Sequence, residues 1–179
     1  MMEGTPKTAA DPLVDLARRT VESYVRSGTT PPAELPAGVG LERSGVFVSL
    51  HLPDGSLRGC IGTVGSTRPD VAQEIVNNAV CAATRDPRFP PLRPEELPGL
   101  DISVDVLGRP EPVEDITELD PKRYGIIIKA ADGRQALLLP DLEGVDTVQQ
   151  QISIACRKGY IDPERDSYDI FRFEVERHH

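Results

Sequence analysis

Tryptophan is absent from this chain, and histidine and cysteine occur only three times each. Cys60, Cys81 and Cys156 have no metal-ligand spacing, and with so few histidines no zinc site, and no metal of any kind, is expected. An odd cysteine count, with no basic-then-apolar leader at the N-terminus, argues against a disulfide framework and for a cytoplasmic location. No apolar run approaches the length of a membrane span, so no membrane role is expected. Positive charge is also short. Lys and Arg number 20 against 29 Asp and Glu, and the formal net charge of −9 argues against nucleic acid, whose partners carry a basic face. Missing too are a glycine-rich phosphate loop, a dinucleotide fingerprint and a Gly-x-Ser-x-Gly elbow, and no cofactor is called for.

Proline and glycine are plentiful, at 17 and 15 residues, and they divide the chain into short elements. Residues 1–10 read as a disordered leader. Asp11 and Pro12 open a helix whose apolar stripe runs through Leu13, Leu16, Ala17 and Val21, and Gly28 stops it. Val46–Leu52 and Leu57–Val64 read as a hairpin, with Asp54-Gly55 suited to a two-residue type I′ turn. A second helix begins near Asp70 and ends before Pro87, with Ala72, Ile75, Val76, Ala79, Val80 and Ala83 inward. In Leu100–Leu107, Ile102, Val104 and Val106 should face in, and Asp101, Ser103 and Asp105 out. A second hairpin turns at Asp132-Gly133, a third helix spans 146–158 with Gly159 as its stop, and Phe171, Phe173 and Val175 share one face of a last strand. Hairpins interleaved with helices predict an α+β fold dominated by antiparallel sheet.

The segment Leu57-Arg58-Gly59-Cys60-Ile61-Gly62 stands out, because glycine weakens a strand unless something must approach its backbone closely. A two-residue turn sets His51 opposite Arg58 and Ser49 opposite Cys60, so Ser49, His51, Arg58 and Cys60 gather on one polar face. A guanidinium about 7 Å from a thiol is worth about 2 kcal/mol at an effective dielectric near 20, which would draw Cys60 toward a neutral pKa. His51 is diagonal to Cys60 and needs a bulge to reach it. A second stretch, Asp86-Pro87-Arg88-Phe89-Pro90-Pro91-Leu92, sets charge beside an aromatic ring on a stiff backbone. It suits either a surface elbow with Phe89 plugging the core or a preorganised arginine for a carboxylate or phosphate. His178 and His179 read as a tail without function.

These two motifs, followed in order by Glu95-Glu96-Leu97, Gly125–Ala130, Leu137–Pro140 and Cys156–Tyr160, resemble the AMMECR-type domain of the AmmeMemoRadiSam system. The resemblance spans about Leu13 to Val175. It implies a single domain over residues 11–177, with two unequal lobes, each an antiparallel sheet flanked by helices. The large lobe would be built from the N- and C-terminal parts, the smaller inserted, with a cleft between. It also implies Memo-like and radical SAM partners, and it brings no settled activity. A tryptophan followed by an acidic residue is implied where Val145 and Asp146 stand.

Two functions stay open. In one, an enzyme uses Cys60 as nucleophile, with Arg58 and Arg88 holding a small anionic substrate and Asp86 orienting an arginine or moving a proton. Gly59 and Gly62 would admit the ligand, and Phe89 and His51 would line its site. In the other, the domain is a non-catalytic ligand-binding or scaffold module, Cys60 is a small filler, and the glycines let the hairpin pack on the elbow.

Overall fold

The computed structural model describes residues 10–39 and 42–179, so the expected leader lies, apart from Ala10, outside the described residues. The fold is α+β, with three α-helices and two four-stranded sheets among the described residues. Helix α1 (Pro12–Ser27) starts where Asp11 accepts the N–H groups of Leu13 and Val14, and ends at Gly28 in the left-handed region. Strands β1 (Val46–His51) and β2 (Leu57–Gly62) form the first hairpin, and α2 (Val71–Thr84) follows with Asp70 as its cap. Strand β3 (Asp101–Leu107) leads to β4 (Glu111–Pro112), β5 (Gly125–Ala130) and β6 (Gln135–Leu138). Helix α3 (Val148–Lys158) and strands β7 (Tyr168–Phe173) and β8 (Val175–His178) complete the chain.

The chain divides into two compact units. One runs up to Asp105 and takes back Arg177–His179; the other is Val106–Glu176. In the first sheet the order is β2-β1-β3-β8. Helix α2 packs on β1, β2 and α1, and Leu16, Val21, Val48, Leu50, Ile75, Ile102 and Val104 are fully buried. The second sheet has the order β4-β7-β5-β6, and α3 lies on β5 and β6, packing Ala155 and Cys156 against Ile126, Ile128 and Leu138. Val145, at the position where the resemblance implies a tryptophan, is a buried member of this core.

Several expectations change. The buried face of α2 includes Glu74 and Asn78, while Val76 and Val80 are only half-buried. Glu74 tolerates this because Thr63 and Thr67 hydroxyls and the Thr67 and Arg68 N–H groups all donate to it. Burial pulls its pKa up, and these hydrogen bonds outweigh it and leave the pKa lowered. Ser103 and Asp105 are buried rather than outward, since β3 is interior to its sheet and Asp105 takes both forks of Arg177 from β8. The last strand is two strands of different sheets, broken at Glu174, so Phe171, Phe173 and Val175 do not share a face. Gly159 does cap α3, as expected, while the positive φ falls on Tyr160, which is 86% exposed. His178 is no loose tail, since its Nδ1 lies 2.7 Å from Asp11 Oδ2.

Candidate functional site

The turn of the first hairpin is one residue longer than a type I′ turn. Gly55 N–H donates to Leu52 C=O at 2.8 Å and Leu52 N–H to Ser56 C=O at 2.9 Å. Pro53 and Asp54 therefore form an ordinary turn, and Gly55, at φ 83°, takes the left-handed position after it. Asp54 helps by accepting the Ser56 N–H and hydroxyl. Farther along, Ser49 still faces Cys60 and Leu50 faces Gly59, but His51 faces Leu57 across a bulge between Leu50 and His51. Arg58 is the extra residue. His51 is thus removed from Arg58, and the hydrogen-bond partner of Cys60 is the Ser49 hydroxyl, which donates to Sγ at 3.2 Å.

The two motifs meet. Asp86 Oδ2 accepts the Cys60 N–H at 2.9 Å, while Oδ1 accepts the Arg88 N–H at 3.0 Å. Arg88 also closes a fork on the same carboxylate, Nε to Oδ1 at 3.0 Å and Nη2 to Oδ2 at 2.8 Å. Its hydrogen bonds, aided by those N–H groups against the cost of burial, hold the Asp86 carboxyl far below the usual carboxylate range. Asp86 orients an arginine, and it is ionised throughout the physiological range, which leaves it no proton to give.

Arg58 is buried and fully engaged. Its Nε and Nη2 reach Glu96 at 2.8 and 3.1 Å, and its Nη1 donates to the Pro90 carbonyl at 3.1 Å. Arg58, aided by the Arg93 N–H and charge, keeps the Glu96 carboxyl below its ordinary value despite burial. Phe89 is half-buried beneath both guanidiniums, 5.8 Å from that of Arg58 and 5.5 Å from that of Arg88. It joins the motifs and does not plug the core.

The glycines answer to packing. A Cβ at Gly59 would stand 2.3 Å from the Ala82 carbonyl oxygen of α2, and one at Gly62 would stand 2.2 Å from the Phe47 ring. The elements pressed against them are α2 and β1, not the elbow and not an open cleft.

Cys60 is half-buried, and burial pushes its thiol up. The Ser49 hydroxyl and the Arg88 charge pull the other way without offsetting burial, and Asp105 and Asp86 add to the rise. The expected activation by Arg58 does not occur, because that guanidinium is turned to Glu96. Glu96, the residue that decides this, was not among the sequence candidates. Its position, three residues after Arg93 at the first turn of a 3-10 helix, marks it as a capping carboxylate and not as a partner 38 residues from Arg58. Among the described residues no group of histidine, cysteine and carboxylate side chains could hold a metal, and no helix is long and apolar enough to cross a membrane.

A protein of Thermotoga maritima is 52% identical over 169 residues, which cover 93% of this chain and 97% of that protein. A Clostridium acetobutylicum protein is 45% identical over 177 residues, and there the match takes up only 36% of the relative's length. The crystal structure of an uncharacterized protein from Pyrococcus horikoshii, 32% identical, superposes with a TM-score of 0.81 over 92% of this chain and 88% of that one. The AMMECR1 family model matches residues 14–178. On that match and these relatives, the chain belongs to the AMMECR1 family.

Proposed function

We propose that residues 11–177 act as one AMMECR-type domain, a non-catalytic binding module for Memo-like and radical SAM partners, with the Asp86–Leu92 elbow as its recognition element. The observation that carries this is the internal use of charge: Glu96 takes up Arg58, and Arg88 with two N–H groups takes up Asp86. Of the two arginines that could hold an anionic substrate, Arg58 is buried and turned to Glu96, and Arg88 is left with its Nη1 alone. The elbow instead exposes Pro87, Arg88, Pro90 and Pro91 on a backbone with little freedom to lose, which lowers the entropy cost of docking. Binding of the full chain to purified Memo-like and radical SAM proteins tests it. Cys60→Ala should bind like the wild type, and Arg88→Ala about tenfold more weakly. Loss of binding in Cys60→Ala with Arg88→Ala unaffected would overturn the proposal.

One observation favours the enzyme as a second reading. The thiol of Cys60 accepts a hydrogen bond from Ser49 and lies in the field of Arg88, both of which support a thiolate acting on a small anion. The alkylation rate of Cys60 against pH, with Cys81→Ser and Cys156→Ser, separates the two. The binding module predicts no inflection below about 8.5, the value of a free thiol. An inflection well below it, lost in Arg88→Ala, would establish the enzyme. A nucleic-acid role has only the negative charge of the chain to meet, and that opposes it.

A further inference from the structure

In the second unit, β4, β7 and the segment before β5 enclose a cavity of about 410 Å³, within the range of small-molecule sites. Its charged lining is Arg109, Arg123 and Arg172 against Glu111 and Glu174. The lining itself carries three arginines against two glutamates, in a chain whose formal net charge is −9, and the Glu118 carboxylate 3.9 Å from Arg172 balances the third. Tyr124 also lines it, with the guanidiniums of Arg123 and Arg172 at 4.8 and 4.7 Å from its ring centroid. The platform is held from behind. Gln151, fully buried on α3, donates to the Tyr124 carbonyl at 2.8 Å, and the Asp120 carbonyl accepts the N–H groups of Arg123 and Tyr124.

The arginines here differ from those of the elbow in what holds them. Arg123 contacts Glu174 through Oε1 alone, and both side chains are more than half exposed. Arg172 reaches Glu111 only at 3.3 and 3.4 Å, while its Nη1 is fixed by the Glu118 carbonyl, with the Glu118 carboxylate 3.9 Å behind. Arg109 has no ion pair or side-chain hydrogen bond among the described residues. Exposed carboxylates held this loosely contribute little and can swing into solvent. A ligand must outbid two monovalent glutamates for the same forks, which favours a dianion over a monocarboxylate.

We propose that this cavity binds the phosphate group of a small phosphorylated molecule, with Arg109 as the unspent donor and Arg172 as the fixed one. Planar guanidinium forks match phosphate oxygens bidentately, and a phosphomonoester carries the charge of about −1.5 to −2 that displacement of both glutamates requires.

Inorganic pyrophosphate titrated into the full chain, read by calorimetry and by arginine side-chain NMR signals, tests the site. Saturable binding at millimolar concentration or below is expected, with the Nε–H signals of Arg109, Arg123 and Arg172 shifting together. Arg109→Ala should weaken it about tenfold. Arg109→Lys should restore part of the loss, and Arg19→Ala on α1 should change nothing. No saturation at millimolar pyrophosphate, an equal loss in Arg19→Ala, or tighter binding of citrate than of pyrophosphate would each overturn the proposal.

Discussion

The two hairpins close with the same turn and then diverge. Ala131-Asp132-Gly133 repeats the geometry of Pro53-Asp54-Gly55: Gly133 N–H donates to Ala130 C=O, Ala130 N–H to Arg134 C=O, and Gly133 is left-handed at φ 93°. Beyond the turn, β5 and β6 pair without interruption from Lys129↔Gln135 to Ile126↔Leu138. The β1–β2 ladder instead carries one extra residue, and that residue is Arg58. The regular hairpin buries three consecutive isoleucines and serves its core. The bulged one turns a guanidinium out of the ladder toward the elbow, where it meets Glu96. A single inserted residue therefore separates a packing element from an interaction site.

The sharpest way to break the contrast is Gly59→Ala. Its Cβ would collide with backbone rather than with a movable side chain, so the variant should lose about 3 kcal/mol or more in urea unfolding. A loss under about 1 kcal/mol would mean that α2 yields and that the glycine is not structural.

Asp86→Asn comes next, with a loss of about 2 kcal/mol at neutral pH. The Asp86 pKa is lowered on folding, so its contribution is present above the unfolded value of about 3.9 and fades as pH falls through the folded one. Wild type and variant should therefore begin to converge below about pH 4 and meet only below the folded pKa. A gap independent of pH would show that charge is not what Asp86 supplies.

Gly55→Ala and Gly133→Ala should each cost about 1 kcal/mol, because both glycines have positive φ and open space around them. Equal shifts in thermal denaturation would confirm that the turns are the same and that the difference lies in the ladder. Smallest of all, Arg123→Ala should leave the urea midpoint unchanged, since its pair with Glu174 is exposed. A lowered midpoint would make the Tyr124 platform part of the fold.

Local signals were readable in the sequence. Asp11, Asp70 and Gly28 mark their helix ends because capping is decided within one turn of chain. Cys60 does lie opposite Ser49, but only because the extra turn residue and the bulge at Arg58 shift the register in opposite senses and cancel. The inference failed where a distant partner decides. The bulge at His51 cannot be counted from the turn, and it overturned both the place of His51 and the effect of Arg58 on the thiol. Glu74, Asn78 and Asp105 look solvent-facing until Thr63, the Val46 carbonyl and Arg177 are brought against them. Gly59 and Gly62 were noticed for the right reason, a close approach, but only the packed helix and ring show what approaches.

Asp86 also bears on the free edge of the first sheet. Strand β2 is an edge strand, and an edge with free N–H and C=O groups is a template for pairing with another chain. At Cys60 both outward groups are already occupied: Asp86 accepts the N–H, and Arg88 Nη2 lies 3.5 Å from the carbonyl oxygen. An acid and a base two residues apart thus take up, at this one residue, the groups that a neighbouring strand would otherwise pair.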